Sequence, residues 1–208
     1  MIRLVRSILR LGQRFRSEER GVAAVEFALI MPLLISLYFG SMEAAALFTV
    51  DKRINSISGT IGDLVAQWDP EDGAMPTATM TDYLNASTGL ISPYPTTGLK
   101  IVVSYVKVTK TTGVTSVLWS RANSAGTAKG EGNAYTDLPA SSEMNKLIAA
   151  NGGCVIATEV IYSYLPMLGQ VFKSAVNLKH TNYFLPRFGS TDPIDLQTKD
   201  LAANACTT

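Results

Sequence analysis

Few residues in this chain have the types and spacing that chemistry requires. Its two cysteines, Cys154 and Cys206, are far apart in sequence, and its single histidine, His180, lies in a strand-like run between Lys179 and Thr181. Two distant cysteines and one histidine fall short of a metal ligand set. Outside the cytoplasm such a pair reads as a disulfide, and closing that loop stabilises a fold by about 4 kcal/mol in the chain-entropy model. His180 reads as an exposed or hydrogen-bonded strand residue rather than a catalyst. Asp69, Glu71 and Asp72 surround Gly73 but depart from the calcium-loop spacing, so they read as a solvated turn. There is no Gly-x-Ser-x-Gly elbow, phosphate-cradling glycine loop or H-E-x-x-H helix. The expectation is a scaffold without a reaction: no enzyme, no cofactor and no metal.

The remaining candidate is a carboxylate in an unusual place. Glu26 opens an apolar run, and no charged side chain occurs from Phe27 to Met42. A charge at the centre of a bilayer costs about 2.5–3.5 kcal/mol on insertion scales. Those uncharged residues span only about 24 Å as a helix, short of the ~30 Å hydrocarbon core. A helix over residues 22–50 reaches a spanning length, with Glu26 near one edge and Glu43 near the other. Six arginines precede it (Arg3, Arg6, Arg10, Arg14, Arg16 and Arg20), whereas residues 22–208 carry 12 basic and 15 acidic side chains. A basic leader on a mildly acidic body does not describe a nucleic-acid binder. It describes a topology in which the leader stays cytoplasmic and the remainder crosses the membrane. Residue types alone leave two readings of this segment: a plain signal anchor, or a secretory signal cleaved near Ala44-Ala45-Ala46.

A third reading rests on resemblance. Gly21-Val22-Ala23-Ala24-Val25-Glu26-Phe27 resembles the processing site of type IV prepilins, in the Gly-x-x-x-x-Glu-[Tyr/Phe] form of the tight-adherence (Tad/Flp) branch. The likeness continues through AAVEFALIMPLLISLYFG to about Ala66, the pattern of TadE-like minor pseudopilins, and EVIYSYLP resembles a strand near their C-terminal end. The resemblance implies cleavage between Gly21 and Val22, which makes Glu26 the fifth mature residue. It also implies that Glu26, beside Phe27, pairs with the freed N-terminal amine of a neighbouring subunit, offsetting the cost of burial. The implied partners are a prepilin peptidase, the Tad assembly platform, the major pilin and other minor pseudopilins. The implied location is the bacterial inner membrane, with the head in the periplasm or outside, and entry into a pilus. The implied function is assembly or priming of a Tad-type pilus used for adhesion. The competing class is a membrane-anchored extracytoplasmic binding module unrelated to pili.

Beyond the span, Ile54, Ile57, Ile61, Leu64, Val65 and Trp68 recur at helical spacing, so the helix is expected to continue over residues 51–69 until Asp69-Pro70 stops it. Pro32 is expected to kink or loosen the first half, and Gly59 and Gly62 to weaken the second. Residues 70–208 read as an α+β head: a short helix in ATMTDYLNAS, a connector in STGLISPYPTTG, and a strand in LKIVVSYVKVTK. Thr111-Thr112-Gly113 forms a hairpin loop into VTSVLWSRA, and the glycine-rich ANSAGTAKGEGNAYT reads as mobile. A helix in SSEMNKLIAANGG, capped by Ser141 or Ser142 and ended by Gly152-Gly153, precedes strands in CVIATEVIYSYLP and VNLKHTNYFLPR. The predicted fold class is α+β and pilin-like. Residues 1–21 form the leader, and a long N-terminal transmembrane helix continues into a small head with an antiparallel sheet against it.

Overall fold

The structure is a computed structural model. It describes residues 19–139, 142–150, 153–166, 174–188, 194–197, 201 and 205–206, with side chains from residue 21 on. The basic leader up to residue 18, and with it five of the six arginines, lies outside the described residues, as do Ser141 and Gly152. The elements are α1 (Glu19–Ala66), a 3-10 turn (Pro70–Asp72), α2 (Thr77–Ile91), β1 (Lys100–Val108), β2 (Thr115–Ala122), α3 (Glu143–Ala150), β3 (Cys154–Tyr164) and β4 (Val176–Phe184). Two compact units result: residues 1–46 with 166–174, and residues 47–165 with 175–208.

In the first unit α1 has no inward face. Its residues 21–39 are all exposed, and the run is apolar on every side. Pro32 lies inside the helix, and its carbonyl accepts the Ser36 hydroxyl at 2.8 Å. The helical assignment runs unbroken through the proline. The first strong burial comes at Glu43, 3% exposed and engaged with a partner.

The second unit is the head. Here α1 turns amphipathic: Val50, Ile54, Ile57, Ile61 and Val65 are buried at steps of three or four, so they form one stripe. Leu64 and Trp68 are only half-buried, and α1 ends at Ala66, slightly earlier than the pattern suggests. Asp69 then adopts extended backbone, and its carboxylate accepts the Glu71 amide at 3.0 Å, capping the 3-10 turn. The helix α2 extends past the stretch read as its end, through Ser87–Ile91. Its buried residues Met80, Leu84, Ser87 and Ile91 keep helical spacing, and burying Ile91 outweighs the ~1 kcal/mol that Gly89 costs a helix. Arg53 of α1 donates to the carbonyls of Leu90 (3.1 Å) and Ser92, occupying groups that the end of α2 leaves open.

All strand pairs are antiparallel, in the order β2-β1-β3-β4. Being central, β1 is buried on both faces. One face meets α1: Ser58 donates to the Thr158 carbonyl at 2.6 Å, and Asn182 donates to Asn55 Oδ1 at 3.1 Å. The opposite face holds a cluster of Val106, Val108, Val117, Tyr135, Leu138, Ile148, Val155 and Ala157. Register shifts between Tyr105 and Val106, so Tyr105 pairs with Trp119 and Val106 with Val117. The extra residue, Leu118, turns the rest of β2 over, which sends Trp119 to the α1 face and Val117 to the opposite cluster.

Gly113 closes the β1–β2 hairpin at φ +65°, donating its amide to Thr109. Ser142 caps α3, its hydroxyl accepting the Asn145 amide at 3.2 Å, and the Gly153 amide donates to the Ile148 carbonyl beyond its last turn.

The segment read as mobile is pinned instead. Gly132 donates to the Val117 carbonyl, Val117 donates to the Asn133 carbonyl, and the Lys129 amide reaches Ser120 Oγ at 3.1 Å. Its glycines allow the chain to lie along the edge of β2, where strand hydrogen-bonding groups stand ready to fix it. Local polarity could not report those partners.

Candidate functional site

Residues Gly21, Val22, Glu26 and Phe27 lie within two turns at the start of α1, all of them exposed. At 1.5 Å per residue Glu26 stands about 7 Å along the axis from Gly21. Phe27 is 57% and Leu29 76% exposed, so the carboxylate projects from an apolar surface that the chain itself leaves uncovered. A Cβ added at Gly21 would meet no atom within 4 Å. Nothing among the described residues therefore requires glycine there.

Gly62 is the opposite case. A Cβ at that position would fall 2.5 Å from the Phe184 ring and 2.8 Å from Thr158 Oγ1. The glycine read as a helix weakener is what lets α1 approach β3 and β4. Gly59 is less confined, with Asn182 Nδ2 at 3.9 Å from its added Cβ.

Cys154 and Cys206 form a disulfide with Cα atoms 5.2 Å apart. The bond ties the C-terminal segment to the first residue of β3. His180 is half-buried, with Nε2 2.8 Å from Asp51 Oδ1, joining β4 to α1. It is a hydrogen-bonded strand residue, as its setting in sequence suggests. Among the described residues no three His, Cys, Asp or Glu side chains gather as a metal set.

A polar cluster on the other face of the sheet escaped the sequence reading. Glu159 is 5% exposed in the middle of β3. Its Oε1 accepts the Tyr135 hydroxyl at 2.7 Å and lies 2.8 Å from Lys129 Nζ. Its Oε2 is 3.4 Å from Lys179 Nζ. Lys179 also bonds Asp137 Oδ2 at 2.7 Å, and the Tyr183 hydroxyl donates to the Asp137 backbone carbonyl at 3.0 Å. The lysine hydrogen bond holds the Asp137 carboxyl below the ordinary aspartate range, while the same bond raises Lys179. Burial, then the bond to Glu159, pushes the Tyr135 phenol far up, so it remains a donor. Every charge here meets an opposite charge, and the cluster clasps residues 129–137 to the sheet. The available signal was Glu159 itself, a lone acid inside CVIATEVIYSY.

Fold and candidate segment together describe an α+β protein: among the described residues one helix is long and apolar enough to cross a membrane, and an antiparallel head follows it. Residues 21–57 match the family model of the TadE-like protein, consistent with a TadE-like protein of the Tad pilus system. The match takes in the exposed apolar length of α1 and the start of its buried stripe, and stops before the sheet. It suggests involvement in the Tad pilus system, and with the apolar helix it suggests membrane anchoring. No curated protein and no solved structure matches the chain.

Proposed function

We propose that this chain is a minor pseudopilin, a structural protein rather than an enzyme, which takes part in assembling or priming a Tad-type pilus. In this reading a prepilin peptidase cuts between Gly21 and Val22. The mature helix is held in the inner membrane with the head on the periplasmic side. Glu26 pairs with the N-terminal amine of a neighbouring subunit when the helix leaves lipid for an assembly. The partners are the assembly platform, the major pilin and other minor pseudopilins.

The observation that carries the proposal is the exposed apolar start of α1, with Glu26 five residues after Gly21, inside the matched segment. The two glycines support it. Packing explains Gly62, whereas no atom among the described residues confines Gly21, so a small residue there serves no packing among them. In this reading the small residue leaves the backbone open to the peptidase.

N-terminal sequencing of the mature protein from its native host tests the proposal. A chain beginning at Val22 is expected. One beginning at Met1 would leave a plain anchor, and one beginning at Leu47 a secreted protein; either result refutes the pseudopilin.

A further inference from the structure

Within the head, β4 runs alongside α1 and in the same direction. His180 meets Asp51, Asn182 meets Asn55, and Phe184 confines Gly62, so strand and helix advance together. Counting back along the strand from His180, Val176 lies about 13 Å beyond the level of Asp51. Leu47 lies only about 6 Å beyond Asp51 along the helix. The β3–β4 end of the sheet therefore overhangs the point at which α1 enters the head. The side chains gathered at this overhang are aromatic, apolar and basic. Tyr164, paired with Val176, packs edge-on against Tyr94 with ring centroids 6.2 Å apart. The Arg53 guanidinium lies 5.9 Å from the Tyr94 ring centre, and the Tyr162 hydroxyl donates to the Pro95 carbonyl at 3.0 Å. Leu165, directly after Tyr164, is 72% exposed, and Phe48, just before Asp51 on α1, is 65% exposed. Lys52 and Lys100 are exposed at the same end, while Asp51 is engaged by His180.

Tyrosine rings sit favourably at a membrane–water boundary, where an exposed leucine reaches acyl chains and lysine or arginine reaches headgroups. An anionic leaflet attracts those cations. We propose that this end of the head is a lipid-contacting surface, with Leu165 set in the headgroup layer of an anionic bilayer. The inference rests on the reading of α1 as a membrane span. Chain continuity then brings Leu47 to the bilayer, and an overhang that passes Leu47 meets the headgroups. A head tethered through α1 alone could swivel about it, whereas a second attachment at Leu165 gives it one orientation on the membrane. The head has other exposed apolar side chains, among them Leu147 of α3 at 60%. That helix lies beside the β1–β2 hairpin, where Asn145 donates to the Gly113 carbonyl at 3.1 Å, at the opposite end of the sheet. Leu147 is therefore the control.

The full chain, with its disulfide closed, is placed in vesicles that contain phosphatidylglycerol. Leu33→Cys, Leu165→Cys and Leu147→Cys, made singly, each carry a nitroxide. Its relaxation is measured with oxygen, which concentrates in lipid, and with a nickel chelate, which stays in water. Oxygen should dominate at Leu33 and the chelate at Leu147. Leu165 should fall between them, with much of the chelate access seen at Leu147 lost. Chelate access at Leu165 equal to that at Leu147, with Leu33 in lipid, overturns the surface and leaves the span standing. Full chelate access at Leu33 overturns both. Low access of both reagents at Leu165, the mark of a protein neighbour, overturns the lipid assignment. Vesicles of phosphatidylcholine alone supply a second arm. Chelate access at Leu165 should rise there while Leu33 is unchanged, and an unchanged Leu165 overturns the preference for an anionic bilayer.

Discussion

Glu26 and Glu159 are both single acids set in apolar runs, and the two regions treat them in opposite ways. In β3 the chain surrounds Glu159 with Tyr135, Lys129 and Lys179, leaving 5% of the residue exposed. At the start of α1, Glu26 stands exposed among valine, phenylalanine and leucine that are equally exposed. An acid in an apolar stretch needs compensation, because burying a lone carboxylate is costly. The head supplies it from within. Among the described residues the N-terminal half of α1 supplies none, and under the pseudopilin proposal the partner of Glu26 comes from another molecule. The same division separates the glycines: Gly62 is explained by its neighbours, and Gly21 by none among the described residues.

That contrast can be broken most severely at Glu26. Under the pseudopilin proposal, Glu26→Gln should insert and be cleaved normally, yet lose co-purification with the major pilin and fail to support piliation. Its head should unfold at the wild-type denaturant midpoint; wild-type piliation would return the residue to an interfacial carboxylate. Glu159→Ala should show the reverse profile, with reduced head stability. Removing one member of a buried pair costs about 3–5 kcal/mol, and the partial exposure of both lysines lowers the expected loss to about 2–3 kcal/mol, read by chemical denaturation. An unchanged midpoint would mean that the cluster is not what fixes residues 129–137.

Gly62→Ala is expected to cost about 1–3 kcal/mol, because the Phe184 ring and the Thr158 side chain must move to admit the methyl group. Gly21→Ala should leave head stability unaltered, so equal midpoints for the two variants would remove the distinction between the glycines. The smallest effect is at Asp137. Its carboxyl is held low by Lys179, so it contributes stability above the ordinary aspartate range that disappears as pH falls through its lowered value. Asp137→Asn should therefore be less stable than wild type by at most about 1 kcal/mol near neutral pH, and the difference should shrink on acidification. A gap that widens in acid would contradict the assignment.

The pattern of residues in sequence announces some of this molecule and hides the rest. The two halves of α1, the hairpin at Gly113, all four strands and the cysteine pair follow from periodicity, turn residues and count, which are local properties. What escaped depends on distant neighbours. The role of Gly62 exists only because Phe184 and Thr158 arrive opposite it. The glycine-rich stretch reads as loose until Val117 and Ser120 supply its hydrogen bonds. The extra residue at Leu118 has no local mark, since either register keeps apolar side chains on both faces of a doubly covered sheet. In the candidate site the order of Gly21, Glu26 and Phe27 is visible in the chain, but that no atom among the described residues confines Gly21 becomes apparent only once the helix is built.

The strand order also sets a timetable. β1 meets β2 across a short turn, and hairpins of that kind close in about 1–10 µs. β1 meets β3 only after the chain has looped back from Cys154–Tyr164 to Lys100–Val108, so the central pairing carries the greater loop-closure entropy and comes later. Until then this central strand of the sheet has one bare edge. A chain made from its N-terminus presents that edge for as long as residues 123–153 take to emerge, at roughly 5–20 residues per second. During those seconds the nascent head is most exposed to pairing with a neighbour, and any factor that delays β3 would be expected to raise misassembly before it lowers the stability of the finished protein.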